Sequence, residues 1–166
     1  MAGQRTGASM TKFRQFAARA AALLGLSVIA GGAVDIEVVE DIYWASNGQL
    51  CESLSTCEVK YALVPPGKVL VIERVGCFVV LPDSASLISV SLQRQKGGQM
   101  LSRSILGPLS LADDHNSRRR YVINATVLMA LKAGDRPVIT MSAEQAMSSS
   151  RVVCDIHGRL KLPSRQ

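Results

Sequence analysis

Apolar and polar residues alternate along most of the chain after residue 57, and a period of two predicts β-strands. The clearest alternation covers residues 86–94. Its two faces are Ile88, Val90 and Leu92 on one side and Ser89, Ser91 and Gln93 on the other. One apolar and one polar face are typical of a strand in a sheet with one side in solvent. Beyond residue 33 no segment keeps a helical period, so the pattern predicts an all-β domain.

Two longer runs predict strands with a more extensive apolar surface. Residues 68–81 are rich in apolar side chains and are expected to bend near Gly76, and residues 121–131 carry one apolar side. That side consists of Tyr121, Ile123, Val127, Met129 and Leu131. Shorter candidate strands cover residues 57–64, 99–106, 137–143, 151–157 and 160–163.

Residues that favour tight turns separate these strands. Pro66 and Gly67 fit the centre of a type II turn, which needs a fixed φ followed by a positive φ. The pair Gly97-Gly98 predicts a hairpin tip, Gly134-Asp135 predicts a corner, and Gly158 predicts a last bend. After the leader, residues 144–150 are the one stretch where a helical turn is expected. Closely spaced strands with such turns favour a sandwich or barrel over a βαβ fold. We predict an antiparallel β-sandwich, jelly-roll-like in topology, preceded by a signal-peptide helix.

The first 33 residues predict a secretory signal peptide. A basic segment at 12–19 precedes an apolar segment at 20–30, and small residues at 31–33 suit cleavage before Val34. The competing interpretation is an uncleaved anchor, but the apolar segment together with the small residues at 31–33 is about 14 residues long, and a bilayer span needs roughly 20. We therefore expect no stable membrane insertion after cleavage, and a periplasmic or secreted protein.

Two boundaries follow from this leader. Met10 is an alternative start to Met1, because residues 10–33 already contain all parts of a signal peptide. After the leader we expect an N-terminal extension with a cysteine loop at 34–56 and the β-sandwich domain at 57–163.

The positive charge of the chain belongs largely to the leader. The net charge is +6 over 166 residues, yet residues 1–33 hold four basic side chains and no acidic one. Residues 34–166 carry 15 basic and 13 acidic side chains, a net of +2. A nucleic-acid-binding domain needs clustered basic charge, so no nucleic-acid partner is predicted.

All four cysteines fall after the leader, and an even number in an exported protein predicts two disulfides. Three pairings are possible, of which we favour Cys51–Cys57 and Cys77–Cys154. In a chain-entropy argument the longer loop contributes roughly 4 kcal/mol and the shorter about 2. Neither a zinc knuckle nor a redox motif fits, because five residues separate Cys51 from Cys57.

A segment at 64–75 contains Pro66-Gly67-Lys68 followed by Leu70-Val71-Ile72-Glu73. It resembles a turn and strand that recur in small exported bacterial β-sandwich proteins of uncharacterised function. The resemblance implies a fold and a compartment, and it transfers no catalytic or binding residue.

Two short segments are candidates for contact with a ligand. Arg118, Arg119 and Arg120 form a basic run whose guanidinium groups suit carboxylates or phosphates. The alternative interpretation is that the neighbouring Asp113 and Asp114 neutralise them. Tyr43 and Trp44 are the second candidate, as a stacking platform for a sugar or as ordinary packing.

The sequence does not predict catalytic chemistry. The 113–116 loop, Asp-Asp-His-Asn, lacks the ligand spacing of a calcium loop, and we predict no metal and no cofactor. Asp155 and His157 would share one face of a strand, but no serine lies in a nucleophile elbow. We predict no enzyme.

Together these features predict an exported, non-catalytic binding or interaction module of the bacterial envelope. Its partner would be an envelope polysaccharide or another envelope protein. The alternatives are a structural or assembly subunit that offers strand edges to partners, and an envelope hydrolase that uses Asp155 and His157. The sequence leaves the oligomeric state open.

Overall fold

The computed structural model of the protein describes residues 35–39, 41–52, 55–107, 109–114 and 117–163. Ten strands occupy this part of the chain. Their bounds are β1 Asp35–Val39, β2 Ile42–Cys51, β3 Thr56–Lys60, β4 Val69–Pro82, β5 Leu87–Lys96, β6 Gln99–Leu106, β7 Ser110–Asp114, β8 Arg118–Lys132, β9 Arg136–Ala143 and β10 Ser150–Lys161. The signal-peptide helix predicted for residues 1–33 lies outside the described residues.

The strands form two antiparallel sheets. The larger sheet has the order β1-β2-β10-β4-β8-β7 and the smaller sheet β3-β9-β5-β6. When the edge strands β1 and β7 are set aside, eight strands remain, and these pair first with last, second with seventh, third with sixth and fourth with fifth. This winding is that of a jelly roll. The predicted fold class is therefore confirmed.

One apolar core lies between the sheets, and alternation along each strand decides which side chains enter it. In β4 the buried residues are Leu70 and Ile72 and then, after an irregularity before Arg74, the odd-numbered residues from Val75 to Leu81. A bend was predicted near Gly76, and the irregularity of this strand lies at Glu73, three residues earlier. A similar irregularity in β5 puts Leu87 into the core and leaves Ile88 57% exposed.

The opposite face of β5 also differs from expectation. Ser91 and Gln93 were predicted on a side open to solvent, but they are 0% and 8% exposed. Alternation therefore assigned Val90 and Leu92 correctly to the core, placed Ile88 wrongly beside them because of the register shift between Leu87 and Ser89, and did not reveal that the polar face is buried as well.

The sandwich begins earlier than the predicted boundary at residue 57. Residues 35–51 do not form an extension, because β1 and β2 belong to the larger sheet. β2 pairs with β10 from Ile42 to Cys51 and buries Tyr43 and Ala45. The polar stretch in the middle of β2 hides this strand from a local pattern, whereas pairing with a distant strand stabilises it.

The turn predictions are confirmed where glycine adopts a positive φ, at +68° for Gly67, +57° and +82° for Gly97 and Gly98, and +82° for Gly134. Gly158 does not end a strand. β10 continues through it with a register shift between His157 and Gly158. The 144–150 stretch is not helical; it closes through a bond from the Ser150 N–H to the Met147 carbonyl.

Both favoured disulfides are present, Cys51–Cys57 and Cys77–Cys154. They indicate an oxidising compartment. None of the described residues forms a helix of the length and apolarity needed to span a bilayer.

Polar contacts complete the fold. The Asp135 carboxylate, at the corner between β8 and β9, accepts bonds from the Arg94 Nε and the Lys132 N–H, each at 2.6 Å. The Tyr61 hydroxyl donates to the Cys154 carbonyl at 2.8 Å, and the Asn47 amide donates to the Lys60 carbonyl at 2.7 Å. The last two bonds join the two sheets on the side where β2 faces β3.

Candidate functional site

The predicted Tyr43–Trp44 pair is divided between two faces of β2. Tyr43 is 5% exposed and packs in the core, where burial raises the pKa of its hydroxyl. Trp44 points the other way and is half-buried. Adjacent residues of a strand point to opposite faces, so these two aromatic rings do not form one platform.

Trp44 lies on the outer face of the larger sheet, the face turned away from the core. Its ring centroid is 6.2 Å from that of His157, with the planes tilted by 42°. Backbone register continues this row from Glu37 through Trp44 and His157 to Arg74. His157, Arg74 and Glu37 are exposed. An aromatic pair thus stands between a carboxylate and a guanidinium group.

The three predicted arginines are also divided. Arg119 is on the core side at the end of the sandwich and donates to the Ser86 hydroxyl at 2.6 Å. Arg118 and Arg120 alternate with it and lie on the same outer face as Trp44. Arg118 donates to the Ser149 carbonyl at 3.0 Å. Arg119 therefore links β8 of the larger sheet to the residue that precedes β5 of the smaller sheet. Arg118 and Arg120 belong to the outer surface.

A further arginine, missed from the sequence, joins them. Arg151 lies opposite Val80 on one side of β4, and Arg120 lies opposite Val80 on the other. Arg151 is exposed and Arg120 half-buried. Only the register of β10 against β4 brings Arg151 here, because 31 positions of sequence separate it from Arg120.

The alternative interpretation of the arginine run was that Asp113 and Asp114 neutralise its charge. Register places Asp113 opposite Arg120 and Asp114 opposite Arg119. His115 and Asn116 lie outside the described residues. In the part of the chain that the structure describes, no group of three or more His, Cys, Asp and Glu side chains is placed to hold a metal ion.

Polar and apolar residues lie between the aromatic end and the arginine end of the outer face. The first row of these residues contains Ser46, Asp155, Gly76 and Asn124, and the second contains Gly48, Val153, Phe78 and Val122. Phe78 is 43% exposed. The two ends are six residues apart along β10, about 20 Å at the usual rise of a strand. A ligand that touches both must be extended.

Asp155 and His157 share this face as expected, but no hydrogen bond joins them among the described residues. His157 contacts the Trp44 ring instead. The residue opposite Asp155 in β2 is Ser46. A hydrolase built on Asp155 and His157 stays a prediction.

Comparison with known proteins gives little help. No protein-family model and no curated protein matches the chain. Among solved structures, dimeric latent PorU from Porphyromonas gingivalis is similar with a TM-score of 0.37 and 10% identity, over 79% of this chain and 14% of that chain. The present chain thus spans a small part of PorU, and a likeness of this size carries no argument about function.

Proposed function

We propose that this protein is an exported, non-catalytic binding module of the bacterial envelope, and that its ligand is an acidic polysaccharide lying across the outer face of the larger sheet. One observation carries the proposal. The two segments predicted separately, Trp44 and the 118–120 run, present Trp44, Arg118 and Arg120 on the same face of one sheet, with Arg74 and Arg151 beside them.

The chemistry of this face suits such a ligand. The apolar side of a sugar ring can stack on the Trp44 indole, and guanidinium groups bind carboxylates in a fork geometry. Arg74 stands next to the aromatic pair, whereas Arg118, Arg120 and Arg151 are at the far end. Because about 20 Å separates the two ends, several sugar units of one polymer would be needed to reach both.

Export rests on the leader and on the cysteines. The signal peptide predicted for residues 1–33, with the mature chain starting at Val34, would deliver the protein to the periplasm or the cell exterior. The two disulfides fit that compartment. The segment at 64–75, which resembles one in small exported bacterial proteins, is consistent with the same route.

Retention on a polyuronate tests the proposal. The exported protein should migrate more slowly in a native gel that contains alginate, and not in one that contains uncharged dextran. Trp44→Ala should abolish most of the shift, and Arg118→Gln combined with Arg120→Gln should weaken it several-fold and reduce its sensitivity to salt.

A matched charge change lies on the other sheet. Lys96 on β5 and Arg103 on β6 are both exposed, so Lys96→Gln combined with Arg103→Gln removes two positive charges without touching the outer face of the larger sheet. It should leave retention unchanged. An equal loss of retention in the Lys96→Gln, Arg103→Gln variant would show that the effect comes from net charge alone. A complete lack of retention of the unaltered protein would refute the proposal.

A further inference from the structure

Strand β1 ends the larger sheet, and no described strand pairs with its second edge. Val39 lies opposite Ile42 across a two-residue connection. In such a hairpin the closing pair is hydrogen-bonded and the pattern alternates outward from it. Val39, Glu37 and Asp35 therefore direct their backbone groups toward β2, and Ile36 and Val38 direct theirs to the free edge.

An apolar cleft opens beneath this edge. The side chains of Ile36 and Val38 form one wall, Leu63 forms the rim, and the buried residues Tyr43 and Leu70 form the floor. Its volume is about 110 Å³. Since an apolar cavity of roughly 150 Å³ holds benzene, the cleft has room for one aliphatic side chain. Ile36 and Val38 are each 45% exposed, and Leu63 is 51% exposed.

The charge of this edge selects among possible occupants. Residues 35–41 contain four acidic residues and no basic one. Glu37 is exposed on the outer face between Ile36 and Val38. A second copy that paired with β1 about a two-fold axis at Glu37 would place Glu37 opposite its own equivalent, and like charges directly opposite destabilise a strand pair.

We infer that the free edge of β1 accepts an added strand from a partner whose apolar and basic residues alternate. The partner's backbone would bond to the N–H and C=O groups of Ile36 and Val38. One of its aliphatic side chains would fill the cleft, and its lysine or arginine side chains would face Glu37. Such strand addition takes its affinity from main-chain bonds and its specificity from alternate side chains. This surface meets the proposed polysaccharide face at Glu37, which lies opposite Trp44. The free backbone edge and the apolar cleft lie outside that face, so the inference does not depend on the polysaccharide proposal.

Two labelled peptides probe the inference. Both are end-blocked heptapeptides; in one lysine and valine alternate, and in the other glutamate replaces lysine. Fluorescence anisotropy with the exported protein should show saturable binding of the lysine peptide and at least tenfold weaker binding of the glutamate peptide.

Variants locate the contact. Ile36→Pro removes one N–H from the free edge, where proline is tolerated because that N–H is outside the ladder. It should weaken binding of the lysine peptide at least tenfold. Glu37→Lys should reverse the preference between the peptides, whereas Glu144→Lys, the same charge change at an exposed position elsewhere, should not.

Three results would overturn the inference. The first is that the lysine peptide binds the Ile36→Pro variant as tightly as the unaltered protein. The second is that the Glu37→Lys variant still prefers the lysine peptide. The third is that light scattering shows a dimer that Ile36→Pro dissociates. The last result would identify a second copy of the chain as the occupant. Glu37→Lys changes only an exposed side chain, so it decides the question even if Ile36→Pro folds poorly.

Discussion

The two disulfides fasten different kinds of contact. Cys51–Cys57, with a sequence separation of 6, joins β2 of the larger sheet to β3 of the smaller. Cys77–Cys154, with a separation of 77, joins residues that already lie opposite each other in β4 and β10. The bridge that is short in sequence therefore connects the two sheets, and the bridge that is long in sequence reinforces one strand pair.

This contrast separates the effect of a bridge on the unfolded chain from its effect on the native state. By loop entropy, the long bridge contributes about 4 kcal/mol and the short one about 2. In the folded protein the order is reversed, because the contact closed by the short bridge depends more on its bridge than the contact closed by the long one. β4 and β10 stay paired through their ladder on both sides of Cys77, whereas the β2–β3 side depends on Cys51–Cys57 and a few bonds such as that from Asn47 to Lys60.

Removing each bridge in turn should expose this difference. Cys77→Ala with Cys154→Ala should lower the free energy of unfolding by about 4 kcal/mol, and Cys51→Ala with Cys57→Ala by about 2, measured by urea denaturation. Local amide exchange should rank the two variants in the opposite order. Local opening near β3 should increase most in the variant without Cys51–Cys57.

Equal losses of stability would show that loop entropy does not govern the two bridges. Unchanged exchange near β3 in the Cys51→Ala, Cys57→Ala variant would show that the polar contacts alone hold the sheets together there.

How far the sequence predicts this fold depends on whether the signal is local. The β6 strand, Gln99–Leu106, has the predicted bounds, because alternation and the Gly97-Gly98 tip are both local features. β1, β2 and β7 were not predicted. Polar residues break the alternation in β2 and β7, and all three strands are held by pairing, β1 with β2, β2 with β10 and β7 with β8. The same reason explains why Arg151 was not assigned to the surface.

A substitution at Gly158 tests whether the backbone ladder between β4 and β10 contributes as much to stability as their disulfide bridge. A Cβ atom at this position would collide with the Val71 carbonyl oxygen and lie 2.9 Å from the Ile72 Cα. Both are backbone atoms of β4, so no flexible side chain can yield. Gly158→Ala should cost about 3 kcal/mol, at the upper end for overpacking, as measured by thermal and urea unfolding.

Gly107 provides the matched control. An added Cβ there meets no atom within 4 Å, and its φ is not positive. Gly107→Ala should change stability by less than about 0.5 kcal/mol. A similarly small effect of Gly158→Ala would mean that the register shift beside it adapts easily and that the bridge, not the ladder, fixes this strand pair.

The smallest expected effect concerns Tyr61, whose hydroxyl bonds to the carbonyl of Cys154 and so links the β3 side to the long bridge. Tyr61→Phe should cost about 1 kcal/mol. The substitution should also change the alkaline limit of stability. Burial, and then the charges of Asp155 and Tyr43, raise the pKa of Tyr61 above its ordinary value of 10.0.

The unfolded chain loses the Tyr61 proton near pH 10 and the folded chain keeps it, so the unfolded state binds fewer protons above that pH. Stability from this group is therefore complete below about pH 10 and falls above it, by up to about 1.4 kcal/mol per pH unit. Urea unfolding at pH 8, 10 and 11 should show a shallower decline for Tyr61→Phe. Some decline should remain, because burial also raises the pKa of Tyr43. Identical slopes in the two proteins would show that Tyr61 ionises in the folded state as readily as in the unfolded chain, and that its bond to Cys154 does not hold the two bridged regions together.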